Sequence, residues 1–195
     1  MPKRESLRNL LAPGRRLHVG RVGQVVALLE SHPARLAQLV ECLWDDDPAI
    51  ANRAADVLER VTRDRPQRAQ RWKDSLLGLM AEAGTNKLDK KLRWNLALVV
   101  PRLELSVAEC RGVAALLRSW LDEPESGSIV KTAALHGIAC LARQDRASLP
   151  AAIELLQIAG RSGTAAMRAR SRNLLQELES NGKKRRSRGS LHMFG

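Results

Sequence analysis

Few residues in this chain have a type and spacing that would do covalent chemistry. Four histidines, His18, His32, His136 and His192, stand at unrelated intervals, and the three cysteines, Cys42, Cys110 and Cys140, form no CxxC pair. Only His136 and Cys140 share an i, i+4 spacing. That is half of a metal site, with two ligands still to find, so no metal or other cofactor is expected. The run Asp45, Asp46, Asp47 lacks the spaced oxygens and glycine of a calcium loop and reads as a turn with a helix cap. Gly160-Arg161-Ser162-Gly163 spells the GxxG of a KH domain, but that module needs strands, so the simpler reading is a turn between helices. Thr164 would open a helix bearing Arg168, Arg170 and Arg172, a combination suited to a phosphate or carboxylate. No nucleophile, base and acid converge in the sequence, so neither an enzyme nor a small-molecule substrate is expected.

Basic residues are the other chemistry on offer. The chain of 195 residues holds 33 Lys and Arg against 21 Asp and Glu, a net charge of +12. Divided by region, residues 1–21 carry +5, residues 181–195 carry +5 and the long middle only +2. The ends read as a flexible basic arm (1–21), with Pro2, Pro13, Gly14 and Gly20 around one short apolar patch, and a disordered basic tail (181–195), low in apolar content and rich in like charge. Within the middle, Arg60, Arg63, Arg65, Arg68, Arg71 and Lys73 fall together with Asp64 as the only acid among them. These six, with Lys183, Lys184, Arg185 and Arg186 of the tail, are the residues expected to meet phosphate if the chain binds DNA or RNA.

Helices must position these groups. From Val22 to Leu178 apolar residues recur at three and four, and no strand-like alternation interrupts them, so the fold class is all-α. Helices are expected over 22–31, 33–44, 48–63, 66–82, 88–102, 107–122, 128–143, 149–160 and 164–179. Asp47 before Pro48, Ser106 with Glu109, and Thr164 supply caps. No apolar run approaches the roughly 18 residues of a membrane span, so no membrane association is expected, and the odd, scattered cysteines suggest a reducing, cytoplasmic setting.

Alternate helices share one register. Taking Ile50, Leu92, Val130 and Met167 as position zero, positions four, seven, eight and eleven are apolar in each helix except at Gly137 and Ser171. The intervals are 42, 38 and 37 residues, the length of two antiparallel helices and their turns. One such pair cannot bury its apolar stripe alone, so stacking neighbours is the physical solution. On the adjoining strip lie Arg53, Asp56 and Arg60, then Trp94, Asn95 and Arg102, then His136, then Arg170. Trp44, Trp72 and Trp120 sit at helix ends or in apolar stripes and read as core or as wedges between repeats.

The segment DDDPAIANRAADVLERV resembles the second helix of a HEAT repeat: an Asp-containing turn, an apolar residue, a basic residue and a small-residue pair. LRWNLALVV, VKTAALHGIACL and MRARSRNLLQEL are similar, with the basic residue following position zero at Arg93, Lys131 and Arg168; Ala51 departs from the pattern. The resemblance covers residues 33 to about 178. It implies a right-handed α-α superhelix of four HEAT-like pairs over 22–180, with the helix at 22–31 as a cap. It also implies a non-enzymatic scaffold holding a protein partner on a concave surface formed by Arg53, Asp56, Arg60, Arg93, Trp94, Asn95, Arg102, Lys131, His136 and Arg170. Nucleic-acid binding through the arms and the Arg60–Lys73 cluster is the alternative. HEAT-like DNA glycosylases of the AlkD type resemble the chain in fold and charge and make a third, lesser reading. Their cleft uses aromatic side chains and an Asp, whereas Trp94 has no obvious Asp beside it and the chain has no Tyr.

Overall fold

Helix caps and proline breaks divide the chain as the apolar periodicity predicts. The computed structural model describes residues 6–12, 19–85 and 90–190, with the backbone alone for 19–21, 84–85 and 181–190. Among the described residues all regular structure is helical, in ten α-helices joined by short 3-10 segments. No described helix is long and apolar enough to cross a membrane. The chain divides into two units, Met1–Glu104 and Leu105–Gly195.

In the first unit, α1 (Leu7–Leu11) starts where the Ser6 hydroxyl accepts from the Asn9 amide at 3.2 Å. It lies inside the segment expected to be a flexible arm. That expectation rested on charge and overlooked the spacing of Leu7 and Leu11, both fully buried one helical turn apart. Two arginines tie α1 down: Arg53 donates to the Leu11 carbonyl at 2.6 Å, and Arg8 grips Asp45 through two bonds of 2.6 and 3.1 Å. Helix α2 (Val19–Ser31) buries Val22, Val25 and Leu29. The expected helix over 33–44 is a short α3 (Leu36–Glu41) flanked by 3-10 turns, and its Trp44 is exposed rather than wedged. Helix α4 (Pro48–Thr62) is capped by Asp47, whose carboxylate accepts from the Ala49 amide at 2.8 Å, with Pro48 at the first helical position. A seven-residue 3-10 helix, Pro66–Trp72, leads into α5 (Lys73–Thr85). Helix α6 (Lys90–Val99) gives way to a 3-10 turn at Pro101, which lacks the amide an α-helix needs.

The second unit opens with the expected capping box, Ser106 with Glu109, on α7 (Val107–Asp122). Gly127, at φ 62, turns the chain into α8 (Gly127–Gln144). Helix α9 (Leu149–Ser162) ends at Gly163, where an added Cβ would lie 2.5 Å from the Ala159 carbonyl oxygen and 2.9 Å from Met167 Cβ. The GxxG is therefore a helix stop. Helix α10 (Ala165–Ser190) begins after Thr164, whose hydroxyl accepts from the Met167 amide at 3.4 Å, and its backbone runs into the segment expected to be a disordered tail. The core gathers Leu135, Ala139, Leu156, Ala159, Leu174 and Leu178 from α8, α9 and α10.

The common register is the core in both units. Ile50, Ala54, Val57, Leu58 and Val61 are buried, as are Leu92, Leu96, Val99, Val100 and Leu103. In α8 the same holds for Val130, Ala134, Gly137, Ile138 and Leu141. Burying each Leu or Val of such a stripe contributes about 1.5–3 kcal/mol, so the stripe, rather than local helix propensity, sets the packing. Ser171 interrupts it on α10 and is itself fully buried; the Cβ that Gly160 lacks would stand 3.7 Å from Ser171 Cβ, an approach that suits two small residues.

Candidate binding surface

The second helices carry the expected strip, and the structure sorts its members into three kinds. Two are not surface residues. Arg93 is 2% exposed, its Nε donating to the Ala83 carbonyl near the end of α5 at 2.7 Å, and Asn95 is 2% exposed, its amide donating to the Lys91 carbonyl at 3.1 Å. Arg93 serves a carbonyl at the end of α5, where helix acceptors go unpaired, and Asn95 bonds back within its own helix, so neither side chain is presented to a partner. A second group is spent on internal pairs in the first unit. Arg53 holds the Leu11 carbonyl, Asp56 pairs with Arg60 one turn away at 3.0 Å, and Arg102 reaches Glu59 at 3.0 Å. Trp94 is half-buried. The third group lies in the second unit: Lys131 half-buried on α8, and His136 accepting at Nδ1 from Arg170 of α10 at 3.2 Å.

The Arg60–Lys73 cluster is largely neutralised, partly by acids one helical turn or one residue away and partly by Glu30 of α2. Glu59, 4% exposed, takes Arg63 at 2.6 Å on one oxygen and Arg102 at 3.0 Å on the other. Burial pushes the Glu59 carboxyl up, but those two guanidinium bonds outweigh it and hold the group below its ordinary value. Glu30 takes Arg68 at 2.5 Å and Arg65 at 3.6 Å, and the Arg68 bond lowers its carboxyl too. Lys73 lies 3.9 Å from Asp74. Arg71 stacks over Trp72 at 4.4 Å from the ring centre, at the mouth of a cavity of about 140 Å³ floored by Leu29, Leu36 and Val61. The side chains of Lys183, Lys184, Arg185 and Arg186 lie outside the described residues.

The second unit holds the larger concavity, about 350 Å³, where the end of α7, the start of α8 and the α9–α10 turn meet. Leu121, Leu135, Leu155, Ile158 and Met167 make it apolar, and Lys131, Asp122, Ser162 and Thr164 stand around it. Sequence reading placed Lys131 on a surface but did not find the groove. Its mark is Ile158, an aliphatic residue 49% exposed beside the buried Leu156 and Ala159 of α9, which only the fold reveals.

Among the described residues no three His, Cys, Asp or Glu side chains gather as metal ligands, so His136 and Cys140 gain no companions of that kind. Burial raises the Cys42 and Cys110 thiols, which keeps them protonated and poorly nucleophilic. No family model, curated protein or solved structure matches this chain.

Proposed function

We propose that this protein is a non-enzymatic α-solenoid of HEAT-like helix pairs that binds a protein partner along the exposed faces of its second helices. The observation that carries this reading is the reach of its side-chain bonds. Arg8 to Asp45, Arg53 to Leu11, Arg68 to Glu30, Gln70 to Glu104, Arg102 to Glu59, Leu105 to Gln144, Ser128 to Thr164, Arg143 to Glu177 and Arg170 to His136 span 34 to 43 residues. That is the same interval as the sequence repeat, 37 to 42 residues. Within each unit these bonds recur at about the repeat interval, as they do in a quasi-one-dimensional solenoid, whose stacked pairs offer extended helix faces for binding. With the buried members and those internally paired in the first unit set aside, Trp94, Lys131, His136 and Arg170 remain as the residues along those faces.

Crosslinking against a nucleic-acid titration tests this. A photoreactive phenylalanine in place of Trp94 should capture protein, whereas the same group at the exposed Ser75 of α5 should not. In parallel, labelled single- and double-stranded DNA and RNA at about 50 and 200 mM salt should bind weakly. Tight nucleic-acid binding that collapses with salt and is lost on reversing Arg65, Arg68 and Arg71 would overturn the protein-partner reading.

A further inference from the structure

The cation that follows position zero occurs in three repeats and has two different fates. Arg93 donates to the Ala83 carbonyl near the end of α5, and Arg168 donates to the Gly163 carbonyl at the end of α9, both at 2.7 Å. Each spends a charge-assisted bond on the carbonyl end of the helix before its own, where helix backbones leave acceptors unpaired. Lys131 holds the same position on α8 and has no hydrogen bond or ion pair among the described residues. Between it and the end of α7, where the other two repeats place a bond, this repeat has the groove of about 350 Å³.

Its chemistry is amphipathic. Leu135, Ile158 and Met167 present hydrocarbon, and among the described residues no aromatic side chain lines the groove to stack a base. Beside it, residues 155–176 contain four arginines and no acid. Arg161 donates to the Gln157 carbonyl, Arg168 to Gly163 and Arg170 to His136, while Arg172 is exposed with no bonded partner among the described residues. Every acceptor is neutral, so this positive charge is left uncompensated. Among the described residues Asp122 is the one carboxylate lining the groove; it is exposed and belongs to the α7 side.

We propose that this groove receives a peptide segment of the partner in which an aliphatic side chain is flanked by carboxylates. The hydrocarbon packs on Leu135, Ile158 and Met167, and a carboxylate pairs with Lys131. Asp122 repels acid on the α7 side and so directs the peptide's acidic flank toward α9 and α10. Lys131 as a residue is half-buried and lines an apolar groove, where an ion pair is less screened than on an open surface. This proposal deepens the protein-partner reading and rests on it.

Selection from a random peptide phage library on the full chain tests both. Enriched peptides are made with a fluorescein label and titrated by anisotropy, beside labelled oligothymidine and vesicles containing phosphatidylserine. Selected sequences should carry Asp or Glu next to Leu, Ile, Met or Phe. Lys131→Glu and Ile158→Asp should each weaken them by about tenfold, Lys131→Gln by less, and Arg71→Glu in the first unit not at all. Ile158 is half-exposed and Lys131→Gln shortens a half-buried side chain that makes no bond among the described residues, so at least one variant keeps the fold, checked by circular dichroism. Enrichment without acids, no enrichment, or peptides indifferent to Lys131 and Ile158 would sink the groove. In the last case peptide binding elsewhere would leave the protein-partner reading standing. Oligothymidine binding abolished by Lys131→Glu would overturn both, and vesicle binding abolished by it would overturn the groove's peptide specificity.

Discussion

Two basic stretches of this protein look alike when residues are counted and differ once they are folded. Arg60 to Lys73 holds six cations, and the fold delivers Asp56, Glu59, Glu30 and Asp74 to five of them. Arg161 to Arg172 holds four, and the bonds given by Arg161, Arg168 and Arg170 go to two backbone carbonyls and an imidazole. Cations paired with carboxylates stabilise their own unit and are poor bait for an external anion. Cations bonded to neutral groups keep their charge available. Density of positive residues therefore points to the wrong stretch, and the identity of the acceptors points to the right one.

The largest effect should come from Glu59, the most buried acid of the first stretch. Glu59→Ala removes the common partner of Arg63 and Arg102, and Arg102 is only 15% exposed, so its guanidinium is left without an anion in a partly dry site. A loss of about 3 kcal/mol is expected in urea unfolding. A change under about 0.5 kcal/mol would mean that water replaces the carboxylate freely and that the stretch is less neutralised than its geometry implies. The pH dependence has a definite sign. The folded carboxyl lies below its unfolded value near 4.5, so the pair's contribution is complete above that pH and fades as pH falls through the lower folded value. Glu59→Gln should accordingly flatten the acid limb of the stability curve below about 4.5 and leave its neutral and alkaline side parallel to that of the parent.

A smaller effect separates Arg68 from its partner. Arg68 bonds both Glu30 and the Val61 carbonyl, the latter at 3.3 Å, whereas Glu30 is 47% exposed and bonded only to arginines. Arg68→Ala should cost about 1 kcal/mol and Glu30→Gln less, since the surface ion pair is screened while the carbonyl bond persists. Equal losses would show that the ion pair alone carries Arg68, and raising the salt to about 1 M would then erase both.

Much of the architecture was legible because it follows from local rules. The caps at Asp47, Ser106 and Thr164 need only a short polar side chain before a helix, and the register of Ile50, Leu92 and Val130 needs only the helical period. What sequence could not reach is anything decided by a partner one repeat away. Glu30 lies 38 residues from Arg68, so the pairing of Arg68 and Arg65 exists only after folding, whereas Asp56 with Arg60, Glu59 with Arg63 and Asp74 with Lys73 are local pairs. Arg93 was placed on the surface because cations usually are, and the fold instead directs it to Ala83. Helix α1 was passed over because basic neighbours masked two leucines. The groove beside Lys131 is a missing bond, and a missing bond has no signature in a sequence.

The smallest stability effect is expected in the second stretch, and that is what gives it discriminating power. Arg161 is exposed and its Nε donates to the Gln157 carbonyl at 3.3 Å, within its own helix, a bond that water can replace. Arg161→Glu should therefore change unfolding free energy by no more than about 0.5 kcal/mol. It nonetheless places a carboxylate between Ile158 and Ser162, two residues that line the groove. If the uncompensated charge here recruits an acidic segment, this substitution should lower the association rate of selected peptides and weaken its salt dependence, with a smaller change in dissociation. A variant as stable as the parent and unchanged in association rate would show that positive charge without a carboxylate is not by itself a recruiting surface in this protein, and the distinction between the two stretches would then concern stability alone.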